Sequence, residues 1–144
     1  GWNLVYLKRR NLLRHALSSI RAEKTSEYHH RKGKKRDNRT SLRVDPVRLI
    51  DNIEGRRRFQ IQEQKALSGL SYLELNYEDD LSDPKSHQAT AEKVFQWVGL
   101  EPGEVQLSTD LEKINSGSLS ELIQNYEEVR AALKETRFDH FLEE

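Results

Sequence analysis

The sequence predicts an α/β fold in which helices pack on a small parallel sheet. Three observations predict it. Two short apolar runs, at residues 3–8 and 71–81, are too brief for helices and read as strands. Longer segments with apolar residues at helical spacing surround them in the order β–α–α–β–α–α, which implies helices packed on a parallel sheet. Start and stop signals punctuate the helices: Asp45-Pro46, Asp83-Pro84, Gly99, and the Ser118…Glu121 pair.

The first strand, "NLVYLK", is a continuous apolar run ending in Lys8, Arg9 and Arg10. A helix over 11–25 follows, with Leu12, Leu13, Ala16, Leu17 and Ile20 on one side and Asn11, Arg14, Ser18 and Arg21 on the other. Ser18 therefore lies on a polar, basic stripe and points away from the core. Residues 26–44 are almost devoid of apolar side chains at their centre and read as a basic surface loop. A helix opens at Asp45-Pro46 and runs to about Gly69, with Gly55 a weak point. "SYLELNYEDDL" is the second strand, with Leu73, Leu75 and Tyr77 on one face. The next helix is capped by Asp83, starts at Pro84, buries Ala91, Val94, Phe95 and Val98, and stops at Gly99. Residues 100–117 read as irregular. A single last helix begins with the Ser118/Glu121 capping box and buries Leu119, Leu122, Ile123, Tyr126, Val129 and Leu133, and the tail offers Phe138, Phe141 and Leu142 for docking.

Length and composition fit one domain with a real core: 144 residues, 35% hydrophobic and 33% charged. No window approaches the run of about 18 apolar residues that a membrane span needs. Cysteine is absent, which excludes disulfides and Cys-based zinc sites and leaves a reducing, cytoplasmic setting as the expectation. The five histidines are scattered, none paired at i, i+4 on a helix, so no metal is expected. Methionine is absent and the chain opens at Gly1, so the expectation is the later part of a longer protein. The net charge of zero hides an asymmetry. Residues 1–58 hold 17 Lys and Arg against 6 Asp and Glu, a net of +11, and residues 59–144 carry the compensating −11. That half neutralises the other or exposes a cleft for an anion.

A helix N-terminus at the carboxyl edge of a parallel strand suits a negative ligand, because its free N–H groups and dipole favour anions. Arg10 ends the strand there, and a guanidinium grips phosphate with two parallel donors. Ser18, two turns on, can donate to a second phosphate oxygen. The plain alternative is a solvated basic patch and a surface serine.

"LVYLKRRNLLRHALSS" resembles the segment of sulfotransferases that binds the 3′-phosphate of their donor, 3′-phosphoadenosine 5′-phosphosulfate (PAPS). There a strand ends in Arg-Asn and a Ser follows eight residues after the Arg, positions held here by Arg10, Asn11 and Ser18. "YLELNYEDDLSDPKSHQATAEKVFQWVGL" is similar to the family's strand–"YEDL"–"DP"–helix–"FLGL" block, with one additional Asp. "STDLEKINSGSLSELIQNYEEVRAALKETRFDHFL" resembles the C-terminal block of bacterial members. The resemblance implies the C-terminal portion of a single, partial sulfotransferase domain spanning 1–144, part of a P-loop-like fold. It implies that Arg10 and Ser18 hold the 3′-phosphate, that Tyr77 lies near the adenine, and that Thr109, Lys113 and Asn115 belong to the nucleotide pocket. For Tyr77 the alternative is core packing, and for the last three, ordinary polar loop residues. Glu78 and Asp79 correspond to an acidic pair that is structural in the family.

The resemblance has gaps. The Gly/Ser-rich loop that cradles the phosphosulfate and the general base lie upstream of the Arg/Ser segment in the family, and no such loop occurs in this sequence. His29 and His30 fall in the basic loop and read as surface residues, and His15 as a packing or surface residue, so the catalytic residues are unassigned. The implied substrates are PAPS and a hydroxyl-bearing acceptor, with carbohydrate and glycolipid hydroxyls as candidates suited to a basic loop. Two other readings stand beside it: a basic module that binds RNA or another polyanion, and a degenerate domain without activity. Few aromatics in the basic half and an acidic second half argue against nucleic acid.

Overall fold

A computed structural model of the chain describes residues 1–25, 30–31, 41–101, 103, 107–108, 111–112 and 117–143. The chain is α/β, and it divides into two compact units that interleave in sequence. One comprises residues 1–10 and 59–109, the other 11–58 and 110–144.

The first unit is built on two parallel strands, β1 (Leu4–Lys8) and β3 (Tyr72–Asn76). Their register pairs Leu4 with Tyr72 and Lys8 with Asn76, so both carboxyl ends lie at one edge. Alternation puts Tyr6, Lys8, Tyr72 and Glu74 on one face. Tyr6 and Tyr72 meet edge to face at 6.0 Å, and Lys8 pairs with Glu74 at 2.5 Å. The C-terminal half of α2 (Pro46–Ala66) serves this face, where Glu63 accepts from the Tyr6 hydroxyl at 3.0 Å and Gln60 donates to the Arg9 carbonyl at 2.8 Å. On the opposite face Leu75 is buried, while Val5 and Leu7 are exposed.

The expected second strand, 71–81, stops early. Residues Tyr77–Leu81 wind into one wide π-helical turn, closed by the Ser82 N–H on the Tyr77 carbonyl at 2.7 Å. Asp80 explains the switch: its carboxylate reaches back to the Asn76 N–H at 2.7 Å and takes Lys93 at 2.9 Å, and its carbonyl accepts from Thr90 at 2.8 Å. Tyr77 therefore leaves the strand face predicted for it. A 3₁₀ turn at Pro84–Ser86, capped by Asp83 as the sequence predicts, leads into α3 (His87–Trp97). Its expected stripe of Ala91, Val94, Phe95 and Val98 is only half-buried, and Thr90 is the one buried side chain on it. Gly99 ends it at φ +78°, a conformation L side chains rarely adopt.

The second unit holds the apolar core. α1 (Leu12–Thr25) starts where the Asn11 side chain accepts from the Arg14 N–H at 2.9 Å, and its stripe from Leu12 to Ile20 is buried as predicted. The N-terminal half of α2, capped by Asp45 through Val47 N–H at 2.9 Å and continuous through Gly55, adds Leu49 and Ile53. The last helix is not single. The capping box of Ser118 and Glu121 forms, but α4 (Leu119–Leu122) gives way at Ile123 to extended backbone before α5 (Tyr126–Lys134). Ile123 bridges in parallel to Leu42, with Leu42 N–H on Leu122 at 2.9 Å and Gln124 N–H on Leu42 at 3.1 Å. The Asn125 amide then clasps Val44, accepting its N–H at 2.9 Å and donating to its carbonyl at 2.8 Å. Phe138 is buried, and Phe141 and Leu142 pack against the same core. Within the expected loop and the expected irregular stretch, β2 (His30–Arg31) and β4 (Leu111–Glu112) pair antiparallel. The rest of the predicted loop from 26 to 40 lies outside the described residues.

Candidate functional site

The sheet's carboxyl edge concentrates charge because both strands end in it. β1 exits into Arg9 and Arg10, and β3 exits into the Tyr77–Leu81 turn with Glu78, Asp79 and Asp80. Parallel pairing sets the two exits side by side. Arg9 lies over the Tyr77 ring, 4.0 Å from guanidinium carbon to centroid. The Arg10 N–H donates to Glu78 Oε2 at 3.0 Å, and its guanidinium Nη2 pairs with Asp79 Oδ1 at 2.5 Å. The side chains of Arg10 and Asp79 are 58% and 55% exposed, so solvent reaches the pair.

Electrostatics differ along the turn. Asp80 is buried, and the hydrogen bond from Lys93, with that from the Asn76 N–H, holds its carboxyl below the usual range against the cost of burial. On the covered sheet face, burial and then the Glu63 hydrogen bond push the Tyr6 phenol up to about 12. Tyr6 is thus fixed as a donor to Glu63. His87 Nε2 meets the Leu81 carbonyl at 2.9 Å, and since a carbonyl only accepts, the ring nitrogen donates.

Of the residues singled out in the sequence, Arg10 and Tyr77 belong to this edge, Tyr77 half-buried under Arg9. Ser18 lies half-buried on α1, in the other unit. Its neighbours on the helix are engaged: Arg56 donates to His15 Nε2 at 2.8 Å and to the Ser19 hydroxyl, and Arg14 donates to the Gly117 carbonyl at 2.9 Å. His15 is therefore neither plain packing nor free surface, but an acceptor for a guanidinium. Thr109, Lys113, Asn115 and His29 lie outside the described residues, and of His30 only the pairing of its backbone in β2 is described. Among the described residues no group of three His, Asp or Glu could hold a metal ion, and no helix is long and apolar enough to cross a membrane.

The sequence reading named Arg9 only within the basic run and Asp79 only as half of a structural acidic pair, and nominated neither for the edge. The signal was present, since "KRR" and "YEDD" are complementary charge runs at the ends of two strands expected to lie parallel. Compared with known proteins, the chain matches no family model, and no curated protein or solved structure matches it significantly.

Proposed function

We propose that this chain carries the nucleotide half of the donor site of a PAPS-dependent sulfotransferase of bacterial type, within a P-loop-like fold. The observation that carries the reading is the carboxyl edge of β1 and β3, where the exposed Arg10 follows one strand and the half-buried Tyr77, under Arg9, follows the other, at the place where open parallel sheets bind ligands. The three blocks that resemble sulfotransferases support it independently. In this reading Arg10 and Ser18 take oxygens of the 3′-phosphate, Tyr77 lies beside the adenine, and Thr109, Lys113 and Asn115 complete the pocket. The acceptor hydroxyl oxygen attacks sulfur in line, the bond from sulfur to the phosphate oxygen breaks, and adenosine 3′,5′-bisphosphate leaves. The cradle for the phosphosulfate and the general base are assigned to no residue of this chain. A carbohydrate or glycolipid acceptor and a cytoplasmic setting belong to the same proposal.

The test is calorimetric titration with adenosine 3′,5′-bisphosphate. Arg10→Ala removes a charged hydrogen bond and should weaken binding by about 1.5–3 kcal/mol. Equal affinity in the variant would remove Arg10 from the site. The polyanion-binding reading is weaker, because much of the basic half is engaged internally: Lys8 with Glu74, Arg48 with Glu23 at 2.6 Å, Arg58 with Glu54 at 3.5 Å, and Arg56 with His15.

A further inference from the structure

Resting on the nucleotide-site reading, we propose that Asp79 is a built-in competitor for Arg10, a specificity-determining carboxylate that a phosphate must displace to bind. The argument begins with how the turn is held. Asp80, not Asp79, anchors it, through the Asn76 N–H, Lys93 and Thr90. The Ser82 N–H on the Tyr77 carbonyl closes it. Asp79 is left as the exposed member of the acidic run, and its side chain meets the Arg10 guanidinium.

A carboxylate offers a guanidinium the same planar, two-oxygen match that a phosphate does. Asp79 therefore occupies a donor of the group that would grip the ligand. Glu78 holds the Arg10 N–H at 3.0 Å, so the acidic pair takes up main-chain and side-chain donors of one residue. The two contacts differ in kind. The main-chain contact fixes the strand exit. The side-chain contact joins two side chains each more than half exposed, and such pairs add little to stability, about fivefold at most in an equilibrium constant. The clasp is thus weak enough to open. A phosphate dianion attracts the guanidinium more strongly than a monoanionic carboxylate, whereas a stray carboxylate or halide gains nothing by replacing Asp79. The pair sets a threshold at Arg10 that favours phosphate over weaker anions.

The experiment titrates the full chain with adenosine 3′,5′-bisphosphate and compares wild type, Asp79→Asn, Arg10→Ala, the double variant and Glu74→Gln. Asp79→Asn removes both the competing contact and a nearby negative charge, and should tighten binding about three- to tenfold. Glu74→Gln removes a carboxylate of the same unit that pairs with Lys8 and should change affinity less than twofold. In the Arg10→Ala background, Asp79→Asn should give a clearly smaller gain, because the competition acts through that guanidinium and only the lost negative charge still contributes. A loss with Arg10→Ala but no gain with Asp79→Asn overturns the competitor role and leaves the nucleotide reading standing. An equal gain from Glu74→Gln overturns it too, since the effect is then general charge. Binding that Arg10→Ala does not weaken, or no binding by either wild type or Asp79→Asn, overturns the nucleotide reading and the competitor with it.

Discussion

Each of the two units of this protein is stabilised internally by different forces. Residues 11–58 and 110–144 enclose a continuous apolar cluster, with Leu13, Leu49, Ile53, Ile123, Val129 and Leu133 almost wholly removed from solvent. Among their described residues, 1–10 and 59–109 bury one large aliphatic side chain, Leu75, and two polar ones, Asp80 and Thr90. Apolar burial at about 25 cal/mol per Å² dominates the unit of residues 11–58 and 110–144. The unit of residues 1–10 and 59–109 relies on the β1/β3 ladder and on fixed polar contacts: Tyr6 to Glu63, Lys8 to Glu74, and the bonds converging on Asp80. The candidate site lies in this polar unit. On the proposed reading, in which a phosphate displaces Asp79, such an edge is better placed on a frame of charged contacts than in a close-packed core, where small shifts are costly.

The sharpest way to break the contrast is to hollow the core. Leu49→Ala should destabilise the chain by about 2–5 kcal/mol in urea unfolding, through lost burial and an unfilled cavity. A cost below 1 kcal/mol would show that the core is looser than its burial indicates. Next in size is Asp80→Ala, which strands the Asn76 N–H and frees Lys93. It should cost about 1–3 kcal/mol, and hydrogen exchange should report it in Tyr72–Ser82 amides while the α1 amides keep their protection.

Acid extends the same test. Because the folded carboxyl of Asp80 titrates below its unfolded value of about 4, its contribution is complete above that pH and disappears as pH falls through the folded value. Glu54 of the core unit, held low chiefly by Arg137, behaves with the same sign. Stability measured from pH 6 down to 2 should therefore fall for wild type and fall less for Asp80→Ala. Parallel curves would mean that Asp80 does not titrate with folding. The smallest effect should come from Leu7→Thr. That side chain is 48% exposed, and the change should stay within about 0.5 kcal/mol of wild type.

Much of the fold was legible from local pattern. The α1 stripe from Leu12 to Ile20, the Asp45 and Asp83 caps, the Ser118/Glu121 box and the Gly99 stop all occur where the residues predict them. These are short-range features, in which each residue's preference is met by neighbours within a turn or two. The failures came where a distant partner offered more than the local pattern did. Ile123 belongs to an unbroken helical stripe in the sequence, yet it abandons the helix because Leu42 supplies backbone partners and Asn125 fastens Val44. Tyr77 continues an alternating strand pattern, yet Asp80 folds back on Asn76 and bends the chain into a turn. At the candidate edge, Arg10 was legible as a basic residue at a strand exit, whereas Tyr77 was read as a strand residue and named for the site only by the resemblance. The complementary "KRR" and "YEDD" runs hinted that the exits could meet, but the particular contacts of Arg9 with Tyr77 and Asp79 with Arg10 were not legible, because they join positions separated by 68 and 69 residues.

The sequence by itself determined where most strands and helices begin, which face of α1 is apolar, and that a basic strand exit precedes α1. Periodicity, capping and side-chain chemistry are properties of neighbouring residues and need no tertiary partner. Only the tertiary structure decided that the two strand exits meet, that Arg10 is clasped by Asp79, and that one expected helix becomes two. Those outcomes depend on which distant groups chain closure brings within hydrogen-bonding reach, and on whether their contacts outweigh the local preference they replace.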